Sequence, residues 1–226
     1  MSGDDTPEAA GGFASPPCFL HELDPAYTGL EESVDPQQRR DVARWREATR
    51  ARLIAERLAI ERGERRRRGE AIFGHLQATV GPLDGRVVSA YWPFRGEPDP
   101  RAFLREVVAQ GGRCALPVVV ARRQPLQFRS WAPGEPLEPG VWNIPVPTAG
   151  AAVVPDLVIA PLVGFDPAGY RLGYGGGFYD RTLAALARRP QVFGVGFAQA
   201  ALPTIYPQPH DIPMDRVVTE AGVQAP

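Results

Sequence analysis

The chain has 226 residues, 44% of them hydrophobic, with 25 basic against 26 acidic side chains, so it can bury a sizeable core without a polyanion or membrane to balance it. Every basic residue is an arginine, and with no lysine present a Schiff-base nucleophile and a phosphate-gripping ammonium are both excluded. Cys18 and Cys114 stand far apart with no Cys-x-x-Cys or Cys/His ladder, which excludes a zinc knot or disulfide framework.

No apolar run approaches the roughly 20 residues that span a bilayer, and the first residues lack the basic-then-apolar order of a signal peptide. The expectation is a soluble, cytoplasmic, monomeric protein with neither nucleic acid nor membrane as partner. Residues 1–40 form the first predicted segment: rich in Gly, Pro, Ala and acid, they read as a flexible amino-terminal extension. Within it the stretch from Cys18 through His21 to Tyr27 is apolar enough to dock on the domain or on a partner. A lone Cys-x-x-His has too few ligands for zinc.

The α/β domain is expected over residues 41–226. Val42, Trp45, Thr49, Leu53 and Ile60 follow a helical period toward Arg62, and Gly63 is expected to interrupt the helix. Arg65, Arg66, Arg67 and Arg68 then open a second helix containing Ala71, Ile72 and Leu76; lacking interleaved aromatics in a neutral chain, this basic run reads as a solvated face. Residues 86–92 form a strand, 100–110 a helix with proline in its first turn, and 114–120 a second strand, together a βαβ unit. Residues 126–131 alternate as a half-exposed strand, and 133–147 read as a long Pro/Gly-rich loop. The apolar runs 153–163 and 192–197 read as buried strands of a mainly parallel sheet. The fold class that follows is a single three-layer α/β, Rossmann-like domain with its ligand cleft at strand carboxyl ends.

Between those two buried strands lies the most informative segment. Gly173, Tyr174, Gly175, Gly176 and Gly177 form a glycine loop followed at once by a helical pattern over 182–188. A strand, a glycine loop and a helix amino terminus make an anion cradle, because glycine admits positive φ and close approach while exposed amides favour phosphate. A tight packing turn uses the same residues, and the loop is neither GxxxxGK[ST] nor GxGxxG. Arg171 adds a fixed positive charge. Asp180 stands where a carboxylate can hold magnesium bridging phosphate oxygens.

Pro161, Phe165, Asp166, Gly169, Arg171, Leu172, Gly173, Gly175, Gly177, Phe178, Tyr179, Asp180 and Arg181 fill every fixed position of P-x-x-x-F-D-x-x-G-x-R-L-G-x-G-x-G-[YF]-Y-D-R. This resembles the signature of the 5-formyltetrahydrofolate cyclo-ligases, also called methenyltetrahydrofolate synthetases. Tyr91 before Glu97-Pro98-Asp99, the Leu116-Pro117-Val118-Val119 strand, and His210-Asp211 with Asp215, Val217, Val218 and Thr219 agree in order, extending the resemblance over about residues 41–222.

The resemblance implies ATP- and magnesium-dependent cyclisation of 5-formyltetrahydrofolate to 5,10-methenyltetrahydrofolate, with release of ADP and phosphate. It implies that Arg171 and Tyr179 are catalytic, and that ATP is held by Arg171, Gly173, Tyr174, Gly175, Gly176, Gly177, Phe178 and Tyr179, with Arg46 and Arg50 as further cations. Glu97, Tyr91 and Trp142 would bind the small-molecule folate. Asp180 and Asp211 would hold Mg²⁺, and replacing either is expected to spare folding. The family opens its first helix with a lysine in patterns such as K-x-x-x-R or W-R-K-x-x-R. Here Glu47 falls at the lysine of the second pattern, which predicts weak ATP binding unless Arg46 or Arg50 supplies the charge. Val146 departs as well, at a position often Glu or Gln. These departures keep a second expectation open: a divergent paralogue that binds folate or nucleotide with weak, altered or no cyclo-ligase activity.

Overall fold

The structure, a computed structural model, describes residues 36–226. The Cys18 to Tyr27 stretch and most of the expected extension lie outside the described residues. Helix α1 (Pro36–Ala59) begins five residues before residue 41, with Pro36 in its first turn, where a missing N–H is not needed. Its interior holds no glycine or proline. Its buried stripe is unusual, since Arg46, Thr49, Leu53 and Arg57 share one face and half of that stripe is guanidinium. Helix α2 (Arg62–Thr79) follows after a break at Ile60 and Glu61, two residues ahead of the expected one at Gly63. The Glu61 carboxylate caps α2 by accepting from the Glu64 amide at 2.9 Å, and Gly63 is accommodated in the first helical turn.

The remaining elements are β1 (Val87–Ser89), α3 (Arg101–Ala109), β2 (Arg113–Val119), β3 (Leu126–Ser130), β4 (Leu137–Pro139), β5 (Pro145–Pro147), β6 (Leu157–Pro161), β7 (Gly164–Phe165), β8 (Arg171–Leu172), α4 (Phe178–Ala185), β9 (Gln191–Val195), β10 (Arg216–Thr219) and β11 (Gly222–Gln224). Seven of these strands form one sheet in the order β11-β10-β9-β6-β1-β2-β3. Its five central strands pair parallel, and β3 and β11 close the edges antiparallel. The expected βαβ unit is β1-α3-β2.

Alternation along β6 explains the layers. Leu157 and Ile159 point into a core shared with Ile72, Phe73 and Leu76 of α2 and Phe103, Leu104 and Val107 of α3. Val158 and Ala160 point to the opposite face, into a core shared with Leu183 of α4 and Met214. A strand covered on both faces must be apolar throughout, as this one is. Burying each large side chain in these cores stabilises the fold by about 1.5–3 kcal/mol. The predicted loop at 133–147 instead contains the β4/β5 hairpin, with Leu137 opposite Pro147, Glu138 opposite Val146 and Pro139 opposite Pro145. Its prolines read as loop because they cannot donate to a ladder, yet on a short two-stranded ribbon they are tolerated.

From β1 the chain moves through α3 to β2 on one side. From β6 it moves through α4 to β9 on the other, so the connections diverge between β1 and β6. A crevice opens at such a divergence, beyond the strand carboxyl ends.

Candidate functional site

A cleft of about 640 Å³ occupies this crevice. Every residue singled out from the sequence as a catalytic, nucleotide, folate or metal contact lines it, from Arg46 and Arg50 through Tyr91, Glu97 and Trp142 to Asp211. The glycine loop connects β8 to α4. Gly175 (φ 90°) and Gly177 (φ 61°) take left-handed backbone that side chains with a Cβ adopt at a cost, and Gly177 caps α4. Upstream, the buried Asp166 carboxylate sets the turn by accepting from the amides of Ala168, Tyr170 and Ile205, each at 3.1 Å.

Three arginines face this loop with different numbers of donors to spare. Buried Arg46 donates through Nε to the Ile205 carbonyl at 3.0 Å and through Nη2 to the Tyr206 carbonyl at 2.9 Å, and it pairs with the Asp211 carboxylate. Arg50 donates through Nε to the Gly173 carbonyl at 2.7 Å, and its guanidinium lies over Gly175. Burial, then the neighbouring Arg46 charge, lowers the Arg50 pKa, against the opposing pull of the Glu47 and Asp211 carboxylates. Arg171 donates through Nη2 to Asp180 Oδ2 at 3.0 Å and stacks on the Tyr179 ring at 5.1 Å, while its buried Nη1 has no partner. A guanidinium charge beside a glycine loop suits an anion in the cleft. Glu47 is exposed and is not among the residues lining the cleft, although its charge acts on Arg50. Arg46 and Arg50, spaced as in K-x-x-x-R, both line it.

Glu97 also lines the cleft and is 6% exposed. Its Oε1 accepts from the Tyr174 hydroxyl at 2.7 Å and its Oε2 from the Phe94 amide at 2.8 Å. Burial pushes its pKa up to about 7, against the opposing pull of Arg57 and of these two hydrogen bonds. Tyr91 is buried beside it and donates its hydroxyl to the Pro98 carbonyl at 2.7 Å, which holds the turn that presents Glu97. Burial raises the Tyr91 and Tyr179 phenol pKa values, so both stay protonated. Trp142 forms the lip: it is 61% exposed, stands edge-on to Phe178 at 5.9 Å, and with Asn143 takes left-handed backbone. Such backbone in non-glycine residues costs about 1–3 kcal/mol and collects at ligand sites. Val146 is buried against Gly140, so this departure contributes an apolar surface to the cleft.

The two proposed metal carboxylates are tied to one another's surroundings. Asp180 accepts through Oδ1 from the Ile212 amide at 3.3 Å, and Asp211 accepts through Oδ2 from the Gln208 amide at 2.7 Å. Each is paired with an arginine, Asp180 with Arg171 and Asp211 with Arg46. Among the described residues no group of three His, Cys, Asp or Glu side chains could hold a metal alone. Two carboxylates do fit Mg²⁺ carried in on phosphate oxygens and water, which is how that ion is usually bound.

Sequence reasoning missed Arg57. It is buried in α1 and donates to the Tyr174 hydroxyl at 2.5 Å, the Arg95 carbonyl at 3.0 Å and the Leu162 carbonyl at 3.3 Å. The signal was its spacing, since Arg46, Arg50 and Arg57 fall on the same helical face as Leu53.

The model of the 5-formyltetrahydrofolate cyclo-ligase family matches residues 42–220. The 5-formyltetrahydrofolate cyclo-ligase of Mycolicibacterium smegmatis is 35% identical over 186 residues, covering 75% of this chain and 91% of its own. That of Escherichia coli K12 is 33% identical over 143 residues, 60% of this chain and 79% of its own. The structure of Aquifex aeolicus 5,10-methenyltetrahydrofolate synthetase superimposes with a TM-score of 0.70 at 28% identity, covering 80% of this chain and 92% of that one. A Mycoplasma pneumoniae 5,10-methenyltetrahydrofolate synthetase, 22% identical with a TM-score of 0.65 over 77% of this chain and 98% of that one, shares the fold.

Proposed function

Because the chain belongs to the 5-formyltetrahydrofolate cyclo-ligase family, we propose that the cleft closes 5-formyltetrahydrofolate to 5,10-methenyltetrahydrofolate at the expense of ATP. The observation that carries this reading is a single cleft lined by Arg50, Arg171, a glycine loop and the buried carboxylate of Glu97. The arginines suit phosphate and the carboxylate suits a ring with paired N–H donors.

The formyl oxygen is a poor leaving group. Transfer of the ATP γ-phosphoryl to it turns it into phosphate, which departs when the neighbouring bridging nitrogen attacks the formyl carbon and closes the ring. No protein nucleophile is required, so a chain without lysine can do this chemistry by placement and charge neutralisation. Arg50 presents unspent N–H groups to the phosphates, Arg171 adds its positive charge beside them, and the loop glycines Gly175, Gly176 and Gly177 allow close approach. Tyr179 supports the Arg171 guanidinium from beneath. Glu97 keeps one lone-pair position on each oxygen for the amino-pyrimidinone edge, and Trp142 with Phe178 offers rings to the flat pterin. Asp180 and Asp211 would hold Mg²⁺, which when bound supplies neutralisation of the phosphate oxygens.

A cytoplasmic monomer fits this small-molecule chemistry; among the described residues no helix is long and apolar enough to cross a membrane. The test is stoichiometric: ATP hydrolysis that requires 5-formyltetrahydrofolate, with one ADP released per ring closed. Folate-independent hydrolysis, or tight binding of both ligands without turnover, favours the divergent paralogue.

A further inference from the structure

Two residues outside the fixed positions of the glycine motif join the glycine loop to Glu97. Tyr174 belongs to the glycine loop of the nucleotide site, and its hydroxyl lies 2.7 Å from Glu97 Oε1. Arg57 Nη2 donates to that same hydroxyl from 2.5 Å, and the guanidinium lies 5.8 Å from the Tyr174 ring centre. Arg57 is itself fixed by the Arg95 and Leu162 carbonyls, so it cannot follow the tyrosine away. We propose that Tyr174, braced by Arg57, is a positioning residue that sets the Glu97 carboxylate for folate and links folate affinity to the state of the nucleotide loop. This rests on the cyclo-ligase reading of the cleft.

The direction of donation carries the argument. Arg57 can only donate, so the tyrosine oxygen accepts and its proton is directed to Glu97. Glu97 thereby receives a hydrogen bond polarised by a full positive charge, which favours its ionised form. With Tyr174 on one oxygen and the Phe94 amide on the other, the carboxylate is held in one plane with a lone-pair position left on each oxygen. Paired donors from a ring edge need that geometry. Burial opposes ionisation and places Glu97 near neutrality, so removing one bond moves it through the working pH range. The charged and titratable groups around it are Arg57 from α1, Tyr174 from the loop, Tyr91 after β1 and Tyr179 from α4, and the phenols stay protonated.

The linkage follows from where Tyr174 sits in the chain. It is flanked by Gly173, whose carbonyl receives Arg50, and by Gly175, over which the same guanidinium lies. A nucleotide that engages Arg50 and orders this loop also fixes the hydroxyl that holds Glu97. Each ligand then tightens the other by the same factor.

The experiment is calorimetric titration of 5-formyltetrahydrofolate into the full-length wild type and Tyr174→Phe, from pH 6 to 9, with and without a non-hydrolysable ATP analogue and Mg²⁺. The substitution keeps the ring and removes one oxygen, and its melting temperature is measured alongside. In wild type, folate affinity falls as pH drops through about 7, and the nucleotide analogue tightens folate several-fold. In Tyr174→Phe the midpoint rises by about one pH unit, the size of losing one hydrogen bond to a charged group, and the coupling factor falls toward one. His210 also lines the cleft, but it is present in both proteins, so the difference between them isolates Glu97. A uniform loss of affinity with an unmoved midpoint, or an unchanged coupling factor, overturns the proposal while leaving the cyclo-ligase reading intact. Failure of the wild type to bind folate at any pH removes both.

Discussion

Arg50 Nε donates to the carbonyl oxygen of Gly173 at 2.7 Å, tying the first helix to the glycine loop across 123 positions of sequence. The contact leaves the rest of the guanidinium beside Gly175, so the first helix and the glycine loop meet in the cleft.

Arg50→Met is expected to weaken ATP binding by about ten- to a hundredfold, the loss of charge-assisted hydrogen bonds, and Arg50→Lys to recover only part of it because an ammonium cannot serve Gly173 and phosphate together. Glu47→Lys, on the exposed side of the same helix, is expected to change ATP affinity by less than about threefold, as exposed charges do. Calorimetric titration of ATP into the three variants checks both; a large gain from Glu47→Lys would return Glu47 to the site.

The contrast between these two positions shows what was legible in the sequence. The glycine motif, the parallel strands and the carboxyl-end cleft could be read because periodicity and turn chemistry are local. Which of Arg46, Glu47 and Arg50 faces the cleft depends on helix rotation, and neighbouring residues differ by about 100° around an α-helix. Arg57 stayed hidden because a buried arginine breaks the apolar stripe by which helix faces are recognised. The hairpin at β4 and β5 was masked by its prolines.

The carboxylates behave differently from the sequence expectation that either could be replaced without harm to folding. Asp211 and Arg46 are 9% and 11% exposed, so Asp211→Ala leaves a nearly buried guanidinium unpaired and is expected to cost about 3 kcal/mol of stability as well as turnover. Asp180→Asn keeps an acceptor for Ile212 or Arg171 but removes the charge opposite the 4%-exposed Arg171, and is expected to lower turnover by orders of magnitude with a loss of stability as well. Urea unfolding beside steady-state kinetics at varied Mg²⁺ separates the two effects. An Asp180→Asn protein with normal turnover excludes the magnesium role.

Glu97 gives a stability signature with a definite sign. Its folded pKa is raised to about 7 by burial, above the unfolded value of 4.5, so the folded state binds more protons between these values and stability falls as pH rises through this window. Below it the side chain is neutral in both states and contributes nothing. Glu97→Gln is therefore expected to gain stability relative to wild type between pH 5 and pH 8, by up to about 3 kcal/mol, while losing folate binding. Thermal melting of both proteins across that range checks it; a constant difference would contradict burial as the cause.

Trp142→Ala is expected to raise the KM for folate about tenfold and leave ATP affinity unchanged, because an exposed ring at the lip offers stacking area and no charge. Parallel KM measurements for the two substrates decide it, and a matching loss for ATP would move Trp142 to the nucleotide side.

The proposed reaction is closure of the folate ring in this cleft at the expense of ATP. Its most direct test is the absorbance of the methenyl-folate band after 5-formyltetrahydrofolate, ATP and Mg²⁺ are mixed with the wild-type protein. The account predicts that the band grows with the protein, stops when ATP is omitted, and is nearly abolished in Arg171→Ala. No band with the wild-type protein under conditions where it binds both substrates, or an undiminished band in Arg171→Ala, would contradict it.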